Sequence, residues 1–239
     1  MSYLLILAFF CSINLLIHDH LVNKVMNSSD TEKQILARPK AKTNWIFEQY
    51  WLIHPETGQC FKCDASIEHD FILTCFFNPK VTFIKTNLAS VMIDGRKHRY
   101  TADILIGYED DSLEYIECKS AREMKSIKKQ EKFAQLSKEY QEANSSLRVV
   151  TDEEIRKGYT ITNLKRFYLY LTSPKPSKSI IKVICDTVNA RINISFAELS
   201  KRLKQQGVSQ RDIWCCLARR YLQTDIEKYI GPKSVIWCE

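Results

Sequence analysis

Within residues 100 to 120, YTADILIGYEDDSLEYIECKS, three charged residues interrupt an apolar pattern. Asp103 precedes one run, and Glu117 and Lys119 lie two apart in the next. Side chains two apart on a strand share a face, so Glu117 and Lys119 project together while Ile116 and Cys118 take the apolar side. Two charges in mid-sheet are costly unless they are paired or put to use. In a hairpin turning near residue 110, Asp103 falls opposite about residue 117, so the two carboxylates converge. Such a pair is relieved by a divalent cation, and Mg²⁺ (with Mn²⁺ as a substitute) takes a few carboxylate oxygens while keeping positions for water and phosphate. The metal set would be Asp103, Glu117 and the backbone carbonyl of Cys118. Glu68 would add a further carboxylate from an upstream helix. Lys119 would orient or help deprotonate the attacking water and offset phosphate charge. The chemistry expected of Glu68, Asp103, Glu117 and Lys119 is therefore metal-dependent phosphodiester hydrolysis. The ordinary alternative is a surface hairpin with a cross-strand Glu–Lys pair, which contributes little.

These side chains need a sheet and a helix to hold them. NWIFEQYWLIHPETGQCFKC alternates around a PETG turn as a hairpin. SIEHDFILTCFF has helical spacing with Ser66 as its expected N-cap, and NPK ends it. Residues 81 to 120 read as three or four strands with turns at Asp94-Gly95 and Glu109–Asp111. AREMKSIKKQEKFAQLSKEYQEAN predicts one long helix with Met124, Ile127, Phe133 and Leu136 as its buried stripe. SSLRVVTDEEI is a buried strand and a helix start. Beyond about residue 160 the texture is helical: NLKRFYLYL, SKSIIKVICDTVNA after an SPKP linker, then SFAELSKRLKQQG and VSQRDIWCCLARRYL joined at Gly207. DIEKYIGPKSVIW closes with two β-rich runs around GP. Two helices followed by a hairpin form the pattern of a winged helix, with Arg211, Arg219 and Arg220 as electrostatic footing.

The 239 residues carry a formal charge of +7. Residues 1 to 150 hold 19 Lys+Arg and 19 Asp+Glu, whereas residues 151 to 239 hold 16 against 9, so the excess lies wholly in the second part. A neutral front and a basic back suggest two modules, the second facing a polyanion or merely solvated. Nine cysteines, most in apolar company, fit a reducing compartment better than a disulfide framework. Cys60 and Cys63 have zinc-knuckle spacing, with His69 and Cys75 following, but no second pair completes a site. The apolar stretch from Tyr3 to Ile17 is short for a bilayer span and lacks a preceding Lys or Arg. It reads as a packed amphipathic helix, an anchor, or an extension upstream of a start at Met26, with the anchor least favoured. The expected division is 1–43 as an extension and flexible lead-in, 44–155 as a catalytic domain and 156–239 as a winged-helix-like domain, in a cytoplasmic protein.

From about residue 45 onward the chain resembles the TnsA endonucleases of heteromeric transposons, in the PD-(D/E)xK nuclease superfamily. The motifs that carry the resemblance are HPETGQ, SIEHDFILTCFFNPKVTFIKTN, GRKHRYTADILI and YIECKS. By that resemblance Glu68 matches the helix glutamate, Asp103 the metal-binding aspartate, Glu117 the second site position and Lys119 the lysine. Ala102 stands where the family has proline, and Glu117 where its prototype has glutamine. The resemblance implies an α/β fold: a restriction-endonuclease-like core, a mixed central sheet flanked by helices, followed by a small helical winged-helix domain. It also implies Mg²⁺-dependent cleavage at the 5′ ends of a transposon, a DDE-type transposase partner (TnsB) and contact with an ATPase regulator (TnsC). Two other functions share the same core: a stand-alone restriction or repair nuclease, and a catalytically inactive fold that binds DNA or a regulator.

Overall fold

The computed structural model describes residues 49 to 238, apart from Asn87, Ala89, Ser90, Asp94 to Lys97 and Ile192. The expectations for residues 1 to 48, including the apolar segment and Met26, and the turn at Asp94-Gly95 lie outside the described residues.

A short hairpin comes first. Strands β1 (Tyr50–Ile53) and β2 (Cys60–Cys63) pair antiparallel. The PETG turn closes with Gly58 donating to the His54 carbonyl, and Gly58 adopts the left-handed conformation the turn requires. Helix α1 (Ser66–Phe76) follows. Its N-cap is Ala65, not Ser66, and no side chain caps it. The Ser66 hydroxyl instead accepts a hydrogen bond from Arg156.

Five strands, not three or four, occupy the next stretch: β3 (Val81–Thr86), β4 (Val91–Ile93), β5 (His98–Tyr100), β6 (Ile104–Tyr108) and β7 (Leu113–Lys119). β4 and β5 form a separate two-stranded ribbon. The central sheet is mixed, in the order β3–β6–β7–β8, where β8 is Ser146–Thr151. β3, β6 and β7 run antiparallel, and β8 lies parallel to β7. A parallel neighbour requires a crossover, which helices α2 (Ala121–Met124) and α3 (Ile127–Glu142) supply. The expected single helix is broken because Ser126 takes an N-cap conformation between the two. Ile127, placed on the buried stripe by its spacing, is 71% exposed, whereas Phe133, Leu136 and Tyr140 are buried.

Alternation along the strands gives the sheet two apolar faces. Ile84, Ile104, Ile106, Ile116, Cys118 and Val150 meet Phe71, Ile72, Leu73 and Cys75 of α1. Leu105, Tyr115, Leu147 and Val149 meet Phe133, Leu136 and Tyr140 of α3. The result is a mixed α/β fold whose central sheet is flanked by helices.

Helix α4 (Asp152–Ile155) leads to α5 (Thr160–Leu171), α6 (Lys178–Asn189), strand β9 (Ile194–Ser195), α7 (Phe196–Lys204), α8 (Gln210–Ala218) and strand β10 (Val235–Ile236). Gly207, in the left-handed region, ends α7, and the Val208 amide returns to the Leu203 carbonyl. Ser209 and Asp212 form a capping box that starts α8. β9 pairs antiparallel with β10, and Gln223 bridges to Trp237. Only the second of the two β-rich runs around GP is a strand. Carbonyls of the first, at Ile226, Lys228 and Ile230, are taken by Asn163 and Arg166 of α5. Among the described residues no helix is long and apolar enough to cross a membrane.

One buried charge ties α1 to the chain 86 residues later. Asp70 is 2% exposed and accepts hydrogen bonds from Arg156 Nε at 2.8 Å and Lys165 Nζ at 2.9 Å, with His69 Nδ1 at 3.3 Å. Burial opposes its charge, but the hydrogen bonds from His69, Lys165 and Arg156 outweigh it and hold the carboxyl well below the usual range. A depressed carboxyl adds stability that is full above its unfolded pKa and lost as pH falls through the folded one. Asp70→Asn is therefore expected to cost about 2 kcal/mol at neutral pH, a deficit that shrinks below about pH 4. Urea denaturation of both proteins across that range measures it.

Candidate active site

The β6–β7 register pairs Ile104 with Ile116 and Leu105 with Tyr115, so one step further Asp103 stands opposite Glu117. The Asp103 amide donates to the Ile116 carbonyl at 3.0 Å. Its Oδ2 accepts from the Cys118 amide at 2.8 Å, extending the ladder with a side chain past the start of β6. Glu117 and Lys119 share the α3 side of the sheet, and Cys118 joins the α1 side. The hairpin thus brings Asp103, Glu117 and Lys119 together.

Glu117 is only 5% exposed. Its Oε1 lies 2.5 Å from Lys119 Nζ, while its Oε2 is buried and makes no hydrogen bond of ordinary geometry among the described residues. Lys119 Nζ also donates to the Cys118 carbonyl at 3.1 Å and lies 3.9 Å from Asp103 Oδ2. Burial works against the ammonium, but the Glu117 hydrogen bond and the charges of Glu117, Asp103 and Glu123 raise its pKa. In this arrangement Lys119 is a cation at neutral pH, suited to offsetting charge rather than to taking a proton from water.

The ammonium is surrounded by two carboxylates and a carbonyl, all hard oxygen donors, and the second Glu117 oxygen is buried with no cation on it among the described residues. That donor set suits Mg²⁺ or Mn²⁺ and not a soft metal. Asp103, Glu117 and the Cys118 carbonyl are the groups that fit it.

Glu68 is placed differently. It lies in the first turn of α1, and its Oε2 accepts from the Asp64 amide at 2.9 Å. Helix α1 packs on the opposite face from Glu117 and Lys119, so Glu68 approaches at Cys118. There, after burial and the charge of Asp103, its own charge helps to raise the Cys118 thiol's pKa. Among the described residues no three His, Cys, Asp or Glu side chains converge as a metal-holding group.

The Cys60–Cys63 pair shows why spacing alone misleads. CFKC is an extended strand, in which residues three apart face opposite sides. Cys60 is exposed and Cys63 fully buried, and burial, with Glu68 and Asp64 nearby, pushes the Cys63 thiol up to about 12. The zinc-knuckle spacing therefore does not bring the two thiols to one side of this hairpin.

One residue of the site was not singled out from sequence. Tyr100 has a buried hydroxyl that faces Glu117 and makes no hydrogen bond of ordinary geometry among the described residues. Its pKa is raised by burial and then by Glu117, which places it next to that carboxylate. Lys132 of α3 sits 5.6 Å from the Tyr100 ring centre. Arg219 has a different task from the one expected: it donates to the carbonyls of Tyr170, Leu171 and Ser173 and so caps the end of α5. Arg211 donates to the Pro174 carbonyl. Arg219 thus spends its guanidinium on the chain itself, whereas Arg211 is exposed and makes this one long contact. The chain matches no protein-family model, and no curated protein matches it.

Proposed function

We propose that this chain is a metal-dependent endodeoxyribonuclease, the subunit of a transposase that hydrolyses phosphodiester bonds at the 5′ ends of a transposon. The reading is carried by the convergence of Asp103, Glu117 and the Cys118 carbonyl around the Lys119 ammonium. Asp103, Glu117 and the Cys118 carbonyl would hold Mg²⁺, which when bound polarises a phosphate and acidifies water. Lys119, released from Glu117, offsets the charge of the scissile phosphate. The Tyr100 ring and α3 shield Glu117 from bulk water, which strengthens each electrostatic contact. Glu68 belongs to the rim of this site, beside Cys118.

The second part supports a winged-helix reading through its order α6, β9, α7, α8, the Gln223 bridge and β10. Residues 213 to 218 of α8 are all buried, so its body is not a groove reader. The segment between Gln223 and β10 carries Lys233 beside a Lys228 paired with Asp225, and its balanced charge makes it the better candidate for contact with a regulator. A DDE-type transposase such as TnsB and an ATPase such as TnsC are the partners this reading calls for.

Strand cleavage of end-containing DNA tests the proposal. Nicks at the 5′ ends are expected with Mg²⁺ or Mn²⁺ and not with chelator. Cleavage that ignores the transposase and its ends would assign a stand-alone nuclease. Absence of both cleavage and Mn²⁺ binding would leave an inactive binding fold.

A further inference from the structure

A cleft of about 280 Å³ opens between the first turn of α1 and the segment joining α4 to α5. Ser66, His69 and Asp70 line it from α1, and Arg156, Thr162 and Lys165 from the other side. Its floor is the buried Asp70 carboxylate, whose two oxygens are already engaged by Arg156, Lys165 and His69. Two permanent cations face one carboxylate, so the cleft keeps an excess positive charge, and His69 adds to it when protonated.

The donors are also incompletely used. Arg156 spends Nε on Asp70 and Nη2 on Ser66, which leaves Nη1 without a protein partner among the described residues. Lys165 Nζ spends one proton on Asp70. The side chains are 40% and 53% exposed, so the free donors lie where a ligand can reach them. Around them stand the hydroxyls of Ser66 and Thr162 and the first turns of α1 and α5, neither of which has a side-chain cap. A planar guanidinium fork, an ammonium and hydroxyls around a space of this size match a tetrahedral oxyanion.

We infer that this cleft is a phosphate-binding site, built on Arg156 and Lys165 with Asp70 holding both in position. It is separate from the Asp103 site and does not depend on that site cutting DNA. Its ligand is a phosphate group, whether free, at the end of a nucleic-acid strand or within its backbone.

Backbone amide NMR of the full chain in low-salt buffer, titrated with inorganic phosphate, tests the inference. Saturable shifts are expected at Ser66–Asp70 and Gly158–Thr162, with half-saturation at about 1 mM. Lys165→Gln, at a half-exposed position, is expected to fold and to weaken binding about tenfold, while Lys165→Arg retains it. Short oligonucleotides with and without a 5′ phosphate then separate the sources. Tighter binding of the phosphorylated one assigns a terminal phosphate, and equal binding assigns a backbone phosphate. Shifts that do not saturate by about 50 mM, that spread evenly over the lysines, or that are unchanged in Lys165→Gln overturn the inference.

Discussion

Asp103→Asn is expected to slow Mg²⁺-dependent strand cleavage by about a thousandfold or more while leaving the fold nearly as stable as before. The two effects separate because Asp103 has two tasks. Its Oδ2 accepts the Cys118 amide, and an asparagine carbonyl oxygen can accept the same hydrogen bond. Its charge, 3.9 Å from Lys119 Nζ and opposite Glu117, is what a divalent ion needs, and the amide has none. Calorimetric Mg²⁺ or Mn²⁺ binding should weaken in step with cleavage, and the thermal midpoint should hold. Lys119→Met should also abolish cleavage, but with a structural cost of about 3 kcal/mol, because Glu117 is left buried without its cation. Mg²⁺ should restore more stability to this variant than to the parent, since ammonium and metal compete for the same oxygens. Full cleavage by Asp103→Asn would remove the site assignment outright.

The hairpin that carries this site is legible because all its determinants are local. Alternation sets which residues face together, and the acidic turn at Glu109–Asp111, with Asp111 in the left-handed region, sets the register. What is illegible is what arrives from elsewhere. Tyr100 reaches Glu117 from a different ribbon, and no spacing rule connects 100 to 117. Asp70 looks like one more polar residue on a helix until Arg156, 86 positions later, closes on it. Glu68 lies, as expected, on a helix that packs against the sheet, and it reaches the neighbourhood of Cys118 from the far side of the strand, an approach that no spacing rule gives. The expected long helix from residue 121 breaks at Ser126, whose backbone is extended and whose side chain makes no cap; Gln130 Nε2 donates to the freed Met124 carbonyl, and Ile127 falls outside the stripe. Arg219 shows the converse error. An arginine near a helix end reads as surface charge, yet three carbonyls at and just past the end of α5 take its donors.

The hydrophobic cluster raises a sharper question about the boundary near residue 156, because it runs unbroken from Leu52 to Ile236. Phe167, on α5, is 4% exposed and lies at the crossing point. Its ring centre is 6.1 Å from that of Phe77, just past α1, and 6.3 Å from that of Trp214 on α8. Trp214 is in turn stacked on Tyr170 and in contact with Phe196. Phe167→Ala would therefore open a cavity bordered by both halves. The expected cost is about 4 kcal/mol, the transfer of the ring plus the void that rigid neighbours cannot fill. Because the lost contacts belong to both halves, the denaturation midpoint should fall as one transition, with Trp214 fluorescence, read in a chain whose other tryptophans are replaced by phenylalanine, and far-ultraviolet circular dichroism still coincident. If the chain were two modules of independent stability, the same substitution would separate the two signals, the tryptophan transition moving to lower urea while part of the dichroism stayed behind. Coincident curves would mean that α5 is a shared strut. The wing-like segment it holds through Asn163 and Arg166 would then be stabilised by the same core that aligns Asp103 with Glu117.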